Sequence, residues 1–150
     1  MRYLLLAPLL LLMSCSMFKP GARKASTDKT PPVASLSGTS WQLDSIIGFK
    51  PEKELVKPVT LNFSDTSNEV YGFGGCNGYG GRYAQSRDEL RFSRLLSTKM
   101  YCAVGSRTET RVTFVLLNCD HAAMDHDGRL LLMKGENTLA VFKKYGPRSE

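Results

Sequence analysis

Apolar and polar residues alternate in short segments through most of the chain after residue 35. In residues 59–63 (VTLNF), three apolar side chains alternate with two polar ones, which is the period of a half-buried strand. Further segments of this kind lie at 39–46, 69–73, 80–85, 89–93, 97–101, 129–133 and 138–143. Residues 134–137 (KGEN) indicate a hairpin loop, and Asp127-Gly128 indicates a hairpin turn after residues 122–126. The pattern predicts an antiparallel sheet of seven or eight strands.

One segment has the period of a helix instead. Its apolar residues fall at i, i+3, i+4 and i+7 and are Val112, Val115, Leu116 and Cys119. Residues 106–109 (SRTE) have the form of a capping box, which predicts that the Ser106 hydroxyl and the Glu109 carboxylate cap the first turn. The predicted helix ends near Cys119 or His121. The fold class is therefore α+β, a small antiparallel barrel-like sheet with one inserted helix.

The N-terminus predicts export and lipid anchoring. Arg2 precedes an apolar stretch that is too short to span a bilayer but has the size of a signal-peptide core. Residues 12–15 (LMSC) resemble the lipobox of bacterial lipoproteins, which implies cleavage after residue 14 and a lipid on Cys15. The alternative is an ordinary signal peptide with an incidental cysteine. Lipidation predicts a protein held in the cell envelope, in the outer membrane facing the periplasm.

The segment from Cys15 to residue 35 predicts a flexible tether, because it is rich in Pro, Ser, Thr, Gly and Lys and has almost no periodic apolar residues. The chain carries a formal net charge of +6. Part of this excess lies in the tether, at Lys19, Arg23, Lys24 and Lys29. Export disfavours a nucleic-acid partner, so these residues either lie near anionic headgroups or belong to a solvated linker.

Three motifs in the remaining chain resemble the META/HslJ-like family. Residues 36–43 (LSGTSWQL) are similar to its opening motif, residues 72–83 (GFGGCNGYGGRY) to its central motif, and residues 98–102 (TKMYC) to a third, with a glutamate opening the helix. The matching residues are Trp41, Gly75, Cys76, Asn77, Gly81, Tyr83, Thr98, Met100, Cys102 and Glu109. The resemblance implies one domain over residues 36–145 with a small barrel-like fold. It also implies a non-enzymatic role in envelope or heat stress and in tolerance of novobiocin-type antibiotics. Tyr101 and Cys119 depart from the usual family pattern.

The cysteines allow more than one arrangement. In an exported protein, Cys76 and Cys102 are expected to form a disulfide, since such bonds persist in that compartment. The alternatives are two reduced, buried thiols, or a bond to Cys119, because sequence alone does not fix connectivity. Cys119 lies on the apolar side of the helix and is expected to be a buried free thiol.

The remaining motifs do not indicate a cofactor or metal. The glycine cluster at 72–81 lacks the lysine and hydroxyl residue of a phosphate loop, so a structural role in tight turns is expected. The pairs Asp120-His121 and Asp125-His126 lack the spacing of known metal motifs. Ser40 or Thr98 acting as a nucleophile with a histidine has no supporting motif. We therefore expect no catalytic residue, no cofactor and no metal.

Binding is accordingly the leading functional hypothesis. The partner would be another protein or an apolar small molecule, the latter if a cavity lined by Trp41, Phe63 and Phe92 exists. A protease-inhibitor-like module is the alternative, and an extended segment over residues 16–38 would favour it. An enzyme is the third possibility, which a cleft with clustered His, Asp and Ser side chains would favour.

Overall fold

A computed structural model describes residues 33–146 of the chain. They form eight strands and one helix, and the helix lies between the fifth and sixth strands. The bounds are β1 Ser40–Ile46, β2 Thr60–Phe63, β3 Glu69–Phe73, β4 Gly78–Ser86, β5 Glu89–Ser97, α1 Ser106–Asn118, β6 His121–Met124, β7 Leu130–Lys134 and β8 Asn137–Lys144. The predicted signal peptide at 1–14, the predicted lipidation site Cys15 and residues 16–32 of the predicted tether lie outside the described residues.

Each strand pairs antiparallel with the next, and β8 returns to pair with β1, so that the sheet closes into a ring. The predicted antiparallel sheet with one helix is therefore confirmed, with eight strands. The weakest seam joins β5 to β6, where Glu89 opposite His121 is the one paired position. Helix α1 connects β5 to β6, the two strands of this seam, and packs against β5 and β7. The helix therefore covers the place where the ring has fewest hydrogen bonds.

The core lies inside the ring and under the helix. Alternate strand residues point inward, as the two-residue period predicts, and the helix adds Val112, Val115 and Leu116. The side chains with almost no exposure include Leu61, Leu90, Leu130, Leu132, Ala140 and Phe142. The predicted hairpins at Asp127-Gly128 and over residues 134–137 both form between neighbouring strands.

The predicted strand at 97–101 is wrong. Strand β5 instead continues from Glu89 to Ser97 through a bulge, at which Arg94 has a left-handed backbone with φ 52°. The bulge lets Leu95 point toward the core after the alternation of residues 89–93 has ended. Beyond Ser97 the N–H of Thr98 still bonds the carbonyl oxygen of Gly78 in β4, but the N–H of Met100 bonds an asparagine side chain rather than a neighbouring strand.

The predicted capping box at the helix start is also wrong. The N-cap residue is Gly105, whose backbone is in the left-handed region with φ 102°. Because glycine has no side chain, the N-cap residue itself cannot cap the helix. The Ser106 hydroxyl donates to the carbonyl oxygen of Cys102 at 3.0 Å. Glu109 turns away from the helix start and bonds Asn77. The two residues of the motif thus bond groups outside the first turn.

The described chain begins with a short segment that is fixed to one end of the ring. Val33 and Leu36 are buried there. Gln85, at the end of β4, accepts a hydrogen bond from the backbone N–H of Leu36 at 3.0 Å and donates to the carbonyl oxygen of Ala34 at 3.2 Å. Within residues 33–146, no helix has the length and apolar character needed to cross a bilayer.

Candidate functional site

The central family motif lies at the end of the ring opposite Val33, where a tight turn joins β3 to β4. The turn closes with a hydrogen bond from the N–H of Gly74 to the carbonyl oxygen of Asn77, at 2.8 Å. Cys76 precedes Asn77 and forms a disulfide with Cys102, in the loop before the helix. We call Cys76, Asn77, Cys102 and Glu109 the clasp, because they join this turn to the loop and the helix.

Asn77 is the centre of the clasp and is 5% exposed. Its Oδ1 accepts hydrogen bonds from the hydroxyl of Thr98 at 2.9 Å and from the N–H of Met100 at 2.8 Å. Its Nδ2 donates to the carbonyl oxygen of Met100 at 3.3 Å and to Oε2 of Glu109 at 3.0 Å. Both acceptor sites and both donor hydrogens of this amide are therefore used within the fold.

Glu109 connects the helix to the turn. Its Oε2 accepts from the backbone N–H of Asn77 at 2.7 Å as well as from the amide side chain. Bonds to a carboxylate are stronger than those between neutral groups, and the loss of one partner would leave a buried polar group unsatisfied. The glutamate of the family motif thus holds the turn to α1.

Two glycines allow the turn and the helix start to approach closely. Gly75 and Gly105 both have positive φ, at 128° and 102°. A Cβ on Gly105 would lie 2.1 Å from the carbonyl oxygen of Gly75, a distance that no side chain tolerates. Glycine is therefore required at both positions. The requirement for Gly105 was not predicted, since this residue lies outside the motif.

A second carboxylate caps the helix from a distant loop. Glu52, between β1 and β2, accepts hydrogen bonds at Oε2 from the N–H of Thr108 at 3.0 Å and from its hydroxyl at 2.8 Å. The Thr108 oxygen accepts in return from the N–H of Glu52 at 3.1 Å. These bonds, led by the Thr108 N–H, lower the pKa of Glu52. Sequence reasoning missed this Glu52 cap because its two residues are 56 positions apart.

The other motif residues support the core. Trp41 is buried, and its ring N–H donates to the Thr39 hydroxyl at 2.8 Å. Tyr83 packs edge-on against Phe63, with 4.8 Å between the ring centres. A Cβ on Gly81 would lie 2.6 Å from Cδ2 of Leu95, so this glycine makes room for the side chain that the β5 bulge turns inward.

The titratable pairs outside the motif are used in local structure. Oδ1 of Asp125 accepts from the N–H groups of Asp127 and Arg129, which forms the predicted turn, and Oδ2 pairs with the Arg129 side chain at 2.7 Å. Oδ1 of Asp120 bonds the His121 ring at 2.7 Å, and this bond lowers the pKa of Asp120. No group of three or more His, Cys, Asp or Glu side chains in residues 33–146 is placed to hold a metal ion.

Cys119 is the free cysteine of the described chain. It is buried, as the helical pattern predicts. Burial raises the pKa of its thiol to about 12, against weaker opposing hydrogen bonds from the backbone of Met133 and His121. A thiol in this state is protonated at neutral pH and is a poor nucleophile.

The hydrophobic residues considered for a ligand cavity are packed against one another. Trp41, Phe63 and Phe92 belong to the buried core cluster, and the rings of Phe63 and Phe92 lie 6.2 Å apart. Surface grooves of about 280 to 460 Å³ lie elsewhere and are lined by other residues. One of about 390 Å³ lies on the outer face of β3, β4 and β5.

Comparison with known proteins agrees with this geometry. A solution structure of a protein from Burkholderia xenovorans is 26% identical, with a TM-score of 0.62 over 73% of this chain and 83% of that one. A second solution structure, 22% identical with a TM-score of 0.56 over 74% of this chain and 95% of that one, shares the fold. No curated protein matches the sequence significantly. The sequence model of the META domain matches residues 34–146. The chain belongs to the META domain family.

Proposed function

We propose that this protein is a non-enzymatic binding module of the bacterial cell envelope, held to a membrane through lipid on Cys15. In this proposal the META domain faces the periplasm on a short tether and has an accessory role in stress and antibiotic tolerance. The observation that carries the proposal is the state of the family motif. Its polar groups bond one another and its cysteines form a disulfide.

Satisfied polar groups support binding rather than catalysis. A catalytic centre needs an acid, base or nucleophile that is free to exchange a proton or bond with substrate. The Asn77 amide bonds the fold through both of its polar atoms, and the Cys76 and Cys102 sulfurs are bonded to each other. The motif thus stabilises a scaffold, and the partner would contact the surface of that scaffold.

The disulfide supports location outside the cytoplasm. Such bonds persist in oxidising compartments such as the periplasm and are rare in the cytosol. A cross-link between Cys76 and Cys102 is consistent with export through the signal peptide that precedes Cys15. Two or more acyl chains at Cys15 would give stable anchoring, because one chain binds a membrane only marginally.

Substitution of Cys15 tests the anchor. We expect Cys15→Ala to move the protein from the membrane fraction to the soluble fraction or to leave an uncleaved precursor. The matched control is Cys119→Ala, which removes another cysteine outside the disulfide and should leave the mature protein in the membrane. Mature Cys15→Ala protein that stays in the membrane fraction as efficiently as wild type would refute anchoring through this residue.

A deletion strain tests the physiological role. We expect its growth to become more sensitive to novobiocin and to heat, with recovery on expression of wild type and no recovery with Cys15→Ala. Equal sensitivity of the deletion and parent strains would count against the stress role but not against the anchor.

The inhibitor-like alternative has one observation in its favour. Residues 33–36 are fixed to the end of the ring by Gln85 and by the buried Leu36, so an N-terminal extension would leave the domain from a defined point. The segment that would enter a protease active site lies outside the described residues. Inhibition of envelope proteases by the full-length protein, lost on deletion of residues 16–32, would favour this function over the accessory role.

A further inference from the structure

The outer face of β3, β4 and β5 carries an open groove whose floor is glycine. Gly80 pairs with Tyr71 of β3 on one side and with Leu96 of β5 on the other. Tyr71 is 55% exposed and Leu96 is 78% exposed. The two side chains therefore form the walls of a groove of about 390 Å³, and a neighbouring groove of about 460 Å³ extends it along Gly78.

The fold itself does not require glycine on this floor. A Cβ on Gly78 or Gly80 would meet nothing nearer than 3.7 Å, and neither residue has positive φ. The inward-facing Gly72 and Gly81 differ, since a Cβ on either would collide with backbone or with a packed side chain. Glycine weakens a strand, and within one it often marks a bulge or a place where a ligand or another backbone approaches closely. Gly80 lies beside the β5 bulge, whereas Gly78 lies two residues farther from it, so close approach is the role that we assign to this floor.

Charged side chains lie at one end of the same groove. Glu69, Arg82 and Arg94 line it, which gives one negative and two positive groups. Within residues 33–146, neither arginine forms an ion pair. The bulge in β5 places Arg94 at this end, with its backbone in the left-handed region. Glu69 lies opposite Arg82 across the two strands, so the groove joins an apolar wall to a charged end with one net positive charge.

We propose that this glycine-floored groove binds an extended peptide segment of a partner protein that carries apolar side chains next to an acidic one. Tyr71 and Leu96 would contact the apolar side chains, the bare floor would admit the peptide backbone, and Arg82 and Arg94 would pair with the acidic group. The ring has no free strand edge there, so the peptide lies on the face of the sheet and does not add a strand. This inference rests on the proposed binding role and gives it a site.

Two other occupants do not fit the charge of the groove. The chain's own tether is basic, with Lys19, Arg23, Lys24 and Lys29 against Asp28, so it would be repelled by the arginines. A second copy bound through the same face would bring four arginines and two glutamates into one interface, because a twofold interface uses the same patch of both copies. This excess of positive charge disfavours it.

Selection from a library of random seven-residue peptides on the full-length, detergent-solubilised protein tests the site. We expect enrichment of peptides with Asp or Glu beside Leu, Val or an aromatic residue. Gly80→Val should weaken the binding of the enriched peptides by roughly tenfold or more in Kd, measured by fluorescence anisotropy. It should leave the thermal midpoint equal or higher, since a β-branched residue favours a strand and the Cβ has room.

Charge reversal supplies the second variant. The double variant Arg82→Glu and Arg94→Glu should no longer bind the acidic peptides. The control Arg91→Glu should still bind them, because Arg91 is exposed on β5, like Arg94, but lies outside the groove. Failure to enrich any peptide, or binding that Gly80→Val leaves unchanged, would overturn the site. If sedimentation shows self-association that Gly80→Val abolishes, the occupant of the groove is a second copy of this chain and the peptide proposal is wrong. None of these results depends on the Cys15→Ala test, so the proposed lipid anchor and the proposed peptide site can be refuted independently.

Discussion

At the scale of single residues, the clasp depends on Asn77. Its side chain bonds the loop through Thr98 and Met100 and bonds the helix through Glu109. Only an amide offers an acceptor to one side and donors to the other in the same plane. Aspartate has nearly the same shape but lacks the donors, which makes this position a sensitive test of the bonding.

We therefore expect Asn77→Asp to lower the free energy of unfolding by about 3 kcal/mol, because a carboxylate would face Glu109 and the donor hydrogens would be lost. Urea unfolding measures this. Adding Glu109→Gln should recover part of the loss by returning a donor. Asn68→Asp, in an exposed loop, is the control and should change stability by less than about 0.5 kcal/mol. Equal effects at the two asparagines would contradict the clasp.

The burial of Cys119 predicts that its thiol reacts slowly in the folded protein. Because burial raises the pKa of its thiol to about 12, we expect no alkylation by iodoacetamide in the folded protein at pH 8 and complete alkylation in urea. Mass spectrometry of the labelled peptide gives the extent of reaction. Rapid labelling without denaturant would show that the thiol is accessible, contrary to its position on the buried side of α1.

At the scale of elements, the helix start is stabilised by groups from outside the helix. Glu52 in the β1–β2 loop caps the N–H of Thr108, and Glu109 within the helix bonds the β3–β4 turn. Acidic groups are favourable at a helix N-terminus because the helix dipole is positive there. Loop, turn and helix are thus joined at one end of the ring by two carboxylates.

The Glu52 cap predicts a pH dependence. Because its pKa in the folded protein lies below the ordinary value of 4.5, its contribution is complete above pH 4.5 and is lost as pH falls through the folded pKa. We expect Glu52→Gln to be less stable than wild type at pH 7, with the difference shrinking below pH 4.5. Thermal unfolding across pH measures it. Glu54→Gln, exposed on the same loop, is the control, and a pH-independent difference at Glu52 would argue against the cap.

Local patterns in the sequence predicted most elements but not their connections at this end. The two-residue period located the strands, because each strand buries one side within a few residues. The form of residues 106–109 predicted a capping box, yet Glu109 bonds Asn77, 32 positions away. The β5 bulge was missed for a similar reason. The bulge turns Leu95 inward against Gly81 of the neighbouring strand, and no local pattern predicts that contact.

At the scale of the whole molecule, the disulfide joins the ring to the segment that leads into the helix. It spans 26 positions, and the chain-entropy model gives about 3.5 kcal/mol for a loop of that size. We expect reductant to lower the free energy of unfolding in urea by about this amount. The double variant Cys76→Ala and Cys102→Ala should be less stable from the start and insensitive to reductant. Equal stability of the oxidised and reduced wild type would contradict a stabilising cross-link.

The family motif identifies the domain, whereas the lipobox predicts where that domain is located. The disulfide was predicted from the oxidising compartment that export implies, and the motif identified Asn77 as a family residue. The motif did not indicate the groove, since Gly78, Gly80 and the exposed Tyr71 come together only when the sheet forms. The lipobox predicts where the domain acts and lies outside the described residues, so it needs its own measurement.

Intact-mass spectrometry of the protein purified from membranes without reductant tests the central claim most directly. We predict the mass of residues 15–150 with a diacylglycerol group and an acyl chain on Cys15, less two hydrogens for the Cys76–Cys102 bond. A chain that begins elsewhere, or that begins at Cys15 without lipid, would contradict the proposal that this META domain is anchored to the envelope through that residue.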